Sequence, residues 1–294
     1  MISRTVTEII NIVVVVLNDK IGLHRTLNSI LDQDIPNHCF RIIIVDGFSE
    51  DGSFELAKHM ARHGDHVVRS EPRGIYDAMN VGLEKVFEYK EDEGVLFLNA
   101  GDFFFSPSSL SILLIGLALH SQVVGLSAFL DPVNRFESSV PEIDFSRSNS
   151  PVLMWIPHQA YCASIAIYKS VGTMNDEFRV AGDVDWFIRA FSKLGTPHHI
   201  PEIISIQIVG GTSRRYAYLG YQERCRIASR AKVQVDKYPV AILIRIYLSQ
   251  KLGIRVPKIL RRKNRGSTEN SISIRRRYEE VSRITTNQEF PPVD

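Results

Sequence analysis

The sequence predicts an α/β fold with a mostly parallel central sheet flanked by helices, and three observations carry the prediction. Ile10 to Leu17 (INIVVVVL) and Phe40 to Val45 (FRIIIV) are nearly continuous apolar, β-branched runs, the pattern of strands buried on both faces. Stretches with helical spacing alternate with them, in the order strand, helix, strand, helix, strand. Both the second run and a later one, Val95 to Leu98, end in a turn with a single carboxylate, Asp46-Gly47 and Asn99-Ala100-Gly101-Asp102. In open sheets of this kind, ligands bind outside the carboxyl ends of the strands.

The elements follow in order. Asn18 and Asp19 end the first strand. Leu23, Leu27, Ile30 and Leu31 give the next stretch a helical stripe. After Asp46-Gly47, the turn Ser49 to Gly52 leads to a helix through Met60, with Ser53 as its expected cap. Val67-Val68 is a short third strand. Gly74, behind Pro72, opens a loop into a helix marked by Ala78, Met79, Leu83 and Val86. Leu110 to Leu130 is the longest uncharged stretch and could pass for a membrane span. The break at Ser121-Gln122 favours instead a buried helix, Ser108 to His120, and a strand, Val123 to Ala128. Asp131 to Ser150 reads as a flexible loop. Pro157-His158-Gln159-Ala160 then precedes an apolar segment, Tyr161 to Tyr168. Val184, Phe187, Ile188 and Phe191 stripe a helix that stops at Gly195. Ile203 to Val209 is a last strand, and the chain is helical from Tyr216.

Composition narrows the function classes. A formal net charge of +2 over 294 residues gives no reason to expect a nucleic-acid partner. Three cysteines, Cys39, Cys162 and Cys225, are too widely spaced for a zinc site or a disulfide framework, which points to a reducing, cytoplasmic compartment. Positive charge is concentrated between Lys251 and Arg277, where ten basic residues face one acid, Glu269. With the apolar stretch Val240 to Leu248, interrupted by Arg245, this block suits the inner face of a cell membrane, peripherally bound; the alternative is a solvated tail.

Several residues carry candidate chemistry. Asp46 could accept from a base N–H or a ribose hydroxyl. Asp102 could hold a hard divalent cation that in turn holds a diphosphate, or simply close an Asx turn. Asp183, at a helix start, is either an N-cap or a general base kept ionised by the helix dipole. Asp185 lies about 200° around the helix from it. Gly210-Gly211-Thr212-Ser213-Arg214 could close over an anion or form a surface turn. No G-x-G-x-x-G follows the first strand and no G-x-x-x-x-G-K-[ST] occurs anywhere.

VDGFSEDGS (Val45–Ser53), SEPRGIYDAMNVG (Ser70–Gly82) and LFLNAGD (Leu96–Asp102) occur in this order. Together they resemble the donor half of family 2 glycosyltransferases with the GT-A fold, in particular the bacterial exopolysaccharide, colanic-acid-type subgroup. The resemblance implies an inverting transfer from a nucleotide sugar, a UDP- or GDP-sugar, to a polyprenyl-linked saccharide, with Mg²⁺ or Mn²⁺. It implies that Asn18, Asp46, Gly74 and Asn80 line the donor pocket and that Asp102 is the surviving metal acid. Gly210, Gly211, Ser213 and Arg214 would close over the diphosphate. His158 would join the site, and Asp183, with Asp185 as fallback, would be the base. Asn99 and Gly101 stand where relatives have acids, and one residue is missing between Pro72 and Gly74. Under this reading, residues 1–128 are the donor half, 129–215 the acceptor and catalytic half, 216–265 a helical basic extension and 266–294 a flexible polar tail. A silent nucleotide-sugar-binding scaffold and a nucleotidyltransferase are the rivals. The second would need a further acid and a lysine for an α-phosphate, a pattern this chain lacks.

Overall fold

The computed structural model describes residues 8–131, 137–141, 143, 156–209, 215–232 and 272–280. Among the described residues nine strands form one sheet: β1 (Ile10–Val16), β2 (Phe40–Asp46), β3 (His66–Arg69), β4 (Gly94–Phe97), β5 (Phe103–Phe104), β6 (Gln122–Asp131), β7 (Glu137–Ser139), β8 (Tyr161–Ser164) and β9 (His198–Ile208). Their order is β3-β2-β1-β4-β8-β6-β9-β5, with β7 paired to β6. Strands β1 to β4, β6 and β9 run one way; β5, β7 and β8 oppose them. The helices are α1 (Lys20–Leu31), α2 (Ser53–Met60), α3 (Ile75–Val86), α4 (Ser109–Leu119), α5 (Ile165–Val171), α6 (Gly182–Leu194) and α7 (Ala217–Arg230).

Alternation along β1 and β2 divides the core. Val13, Val15, Ile43 and Val45 face Met79 and Leu83 of α3 and Trp186 of α6. Ile10, Ile12, Val14, Ile42 and Ile44 face Leu23 and Leu27 of α1, Leu56 of α2 and Leu113 and Leu117 of α4. Both faces are covered, which is why these strands carry no polar alternation. Leu110 to Leu130 resolves into α4 and β6, and among the described residues no helix is long and apolar enough to cross a membrane.

Four local expectations change. Ser53 is the first helical residue of α2, not its cap; Gly52 takes the left-handed cap position, and the Asp51 carboxylate accepts from both the Ser53 N–H and hydroxyl. The apolar segment Tyr161 to Tyr168 divides into strand β8 and, directly after it, α5. The loop expected from Asp131 begins with a hairpin, since β7 pairs with the end of β6. Finally, the tail expected to be flexible contains helical residues 272–280. Ile274 there joins a cluster with Phe103, Leu130 and Ile206. Arg277, counted in the basic block, is buried and paired with Asp32 and Glu280.

Candidate active site

The carboxyl ends of β1, β2 and β4 open on one edge of the sheet. At the end of β2, Asp46 is fully buried. Its Oδ2 accepts from the Ser49 N–H at 3.0 Å and lies 3.4 Å from Arg69 Nε, while Oδ1 has no partner. Asn18, in a left-handed conformation beyond β1, ties the two strand ends together. Its N–H donates to Ser49 Oγ, and its side-chain oxygen accepts from the Glu50 N–H. Gly74 is the exposed N-terminal cap of α3 on the same edge.

Asp102 follows β4 by a tight turn. Gly101 has φ +95°, a conformation that side-chain-bearing residues rarely adopt. The buried Thr26 hydroxyl of α1 fixes this turn, accepting from the Gly101 N–H at 3.0 Å and donating to the Asp102 carbonyl at 2.6 Å. Burial pushes the Asp102 carboxyl up from 3.8 to about 6, against the opposing influence of the Gln159 amide, which donates to its Oδ2 at 2.8 Å, and of His158.

Because β8 runs antiparallel to β4, its amino end returns to the carboxyl edge of β4. The 3₁₀ turn His158–Ala160 therefore sits beside Asn99 and Asp102. Gln159 is held from behind by the amide of Gln207 on β9. His158 contacts Asn99 through Nε2, at 3.1 Å, and Asp183 through Nδ1, at 3.4 Å. One short turn thus reaches both acids.

Asp183 occupies the first turn of α6, where it also accepts from the Tyr76 hydroxyl at 3.1 Å and from the Val184 N–H at 2.9 Å. Burial would raise this carboxyl, but the hydrogen bond and charge of His158, the charge of Arg224 and the Val184 N–H outweigh it and hold it below 3.8. It is an ionised group at neutral pH. Two features seat it there. A Cβ at Gly182 would lie 2.7 Å from the Tyr76 ring, so only glycine admits that ring. Buried Glu223 of α7 accepts from the N–H groups of Arg179, Val180 and Ala181, fixing the approach to α6.

The site gathers Asn18, Asp46, Asp102, His158 and Asp183 around the strand-end crevice. Asp185 does not join them: it pairs with Arg189, which also donates to the Val171 and Thr173 carbonyls. Asn80, placed in the donor pocket by the resemblance, has its amide engaged at both ends by the Met174 backbone, at 2.9 and 2.8 Å. Gly210, Gly211, Ser213 and Arg214 lie outside the described residues. Sequence reasoning missed Tyr76, Gln159, Gln207 and Glu223. Tyr76 and Gln159 lie inside motifs already singled out; Gln207 and Glu223 carry no local signal.

Among the described residues no three His, Cys, Asp or Glu side chains come together as a metal cage. A single hard carboxylate nevertheless fits Mg²⁺ or Mn²⁺ whose other ligands are phosphate oxygens and water. The raised Asp102 carboxyl is an anion that a cation would stabilise.

Comparison with known proteins agrees with the fold. Residues 11–138 match the model for glycosyl transferase family 2. A PGL/p-HBAD biosynthesis glycosyltransferase of Mycobacterium tuberculosis is 26% identical over 261 residues, covering 86% of this chain and 90% of the relative. Among solved structures, S. aureus TarS 1-349 in complex with UDP superposes with a TM-score of 0.58 at 16% identity, over 82% of this chain and 71% of TarS. The mannosyltransferase PcManGT from Pyrobaculum calidifontis, in complex with GDP-Man and Mn2+, gives 0.52 at 13% identity over 96% and 76%. The chain is a glycosyltransferase of GT-A fold whose residues 11–138 match the family 2 glycosyl transferase model.

Proposed function

We propose that this glycosyltransferase moves a sugar, with inversion, from a nucleotide sugar to a lipid-linked glycan acceptor in bacterial surface polysaccharide synthesis. The observation that carries the reading is the turn His158–Ala160, which sets an ionised carboxylate, Asp183, beside the strand-end acid Asp102. Asp183 takes the proton from an acceptor hydroxyl. The hydroxyl oxygen then forms its bond to the anomeric carbon as the bond from that carbon to the diphosphate breaks. His158 orients the base, and Tyr76, a phenol whose burial raises it well above its usual range, stays a donor to it. Asp46, with its unpartnered Oδ1, receives the base or ribose of the donor. A divalent cation at Asp102 would neutralise charge on the leaving diphosphate.

The UDP and GDP-Man complexes of the structural neighbours support a nucleotide-sugar donor. The lipid-linked acceptor is supported by the apolar and basic stretches between Val240 and Arg265. The lack of acids at Asn99 and Gly101 favours a second reading, a nucleotide-sugar binder without turnover. Thermal-shift and product-release assays with UDP-, GDP- and dTDP-sugars, with and without Mn²⁺, test both. Release of nucleoside diphosphate that requires acceptor supports transfer. Stabilisation by a nucleotide sugar without release or transfer supports the binder.

A further inference from the structure

We infer that Phe48 is the stacking wall of the nucleobase subsite, a role resting on the donor-nucleotide reading above. Three observations meet at this residue. First, its φ is +60°, a conformation that is an outlier for a bulky side chain and that persists only where the surroundings over-determine it. The surroundings do: the next residue, Ser49, is held by its N–H on Asp46 and by its hydroxyl under the Asn18 N–H. Second, the ring is not used by the core. It is 47% exposed, and neighbouring Leu17 is 54% exposed, with its side chain against Gly47. Third, the polar groups beside it are incomplete. Asp46 Oδ1 is buried and unpartnered, and the Arg69 guanidinium lies 5.3 Å from the Phe48 ring and 3.9 Å from that of Phe54.

An exposed aromatic face, a buried acceptor without a donor and a cation held in place by aromatic rings together fit a flat heterocycle. Its ring N–H would reach Asp46, and its carbonyl oxygens would face Arg69. A strained backbone with an exposed ring would be removed by any substitution to glycine were the ring without a task, since glycine takes this conformation freely.

The test sets stability against affinity. Binding of UDP, GDP and dTDP, each with Mn²⁺, is measured by calorimetry for the wild type and for Phe48→Gly, Phe48→Ala and Phe48→Trp, with pyrophosphate plus Mn²⁺ as a ligand lacking a base. We expect the nucleotide that the wild type binds to lose about tenfold in affinity in the Gly and Ala variants, the scale of one base–aromatic stack, and to be retained by Trp. Pyrophosphate affinity should be unchanged in all three, and Phe48→Gly should melt no lower than the wild type. Wild-type nucleotide affinity in the Gly and Ala variants overturns the inference alone. So does an equal loss for pyrophosphate, which would mean that the loop itself had collapsed. No binding of any of the three nucleotides by the wild type overturns the donor reading and this inference with it.

Discussion

His158 Nδ1 lies 3.4 Å from Asp183 Oδ2, while the other ring nitrogen faces the Asn99 amide at 3.1 Å. With Asn99 donating to Nε2, the proton of a neutral ring sits on Nδ1 and points at the carboxylate. The imidazole then supports the Asp183 carboxylate through a hydrogen bond as well as through charge.

Asp183→Asn should lower kcat by about 10²- to 10⁴-fold and leave donor affinity unchanged, the range of a positioned base. Steady-state kinetics beside calorimetric donor binding checks this. A parallel loss of donor affinity would show that Asp183 contacts the nucleotide sugar instead.

His158→Ala should move the acid limb of the kcat profile upward. In the native site the Asp183 carboxyl is held below 3.8, so its hydrogen bonds contribute stability above that value and are lost as pH falls through the lower folded value. Without His158 the burial effect is less opposed, so the carboxyl protonates at higher pH. A pH series of kcat for both proteins decides it.

Asp102 has the opposite sign. Its folded value of about 6 lies above 3.8, so deprotonation costs the fold stability as pH rises from about 4 to 6. Asp102→Asn should therefore be more stable than the wild type at pH 8 by about 1–2 kcal/mol, with no gain at pH 4. Mn²⁺-dependent nucleotide affinity should fall at least about tenfold, as for loss of a charged metal ligand. Urea melts at the two pH values and calorimetry with Mn²⁺ check both.

Glu223→Ala leaves three backbone N–H groups at the start of α6 without their acceptor. We expect a loss of about 1–3 kcal/mol in stability, the cost of stranding one buried and two partly buried donors, and a drop in kcat below the melting transition as Asp183 loses its seat. Asn80→Ala should likewise lower the melting temperature, through its two lost bonds to Met174, with KM for the donor unchanged.

The strand-end acids were legible because burial and position are encoded locally: an unbroken β-branched run announces a covered strand, and the first carboxylate after it marks the crevice. Asp183 was legible for a similar reason, as an acid just before an apolar helical stripe. The bond of Asn80 to Met174 was not legible, because Met174 lies 94 positions away and nothing near Asn80 shows which way its amide turns. Tyr76 meets Asp183 across 107 positions, and Gln159 is steadied by Gln207 across 48, contacts that exist only once β8 has entered the sheet antiparallel to β4. The short strand β5 gave no periodicity to read.

Arg277 bonds Asp32 across 245 positions, and Ile274 rests against Phe103. The last part of the chain is thus stitched to the first helix and to the strand just past Asp102. The chain between Lys232 and Ile272 is therefore anchored at both ends, and cutting it just after Lys232 would unpick the edge of the sheet as well. A fair test of lipid attachment replaces residues 240–262 internally with a Gly/Ser linker; binding to anionic vesicles should fall, and the melting temperature should hold. The same stitch sets an order on synthesis. The amino-terminal sheet can leave the ribosome early, but the edge at β5 stays open until about residue 280 has emerged. A nascent or clipped chain would expose the Phe103 end of the crevice, and a copy shortened by a few dozen residues would be a target for proteolysis.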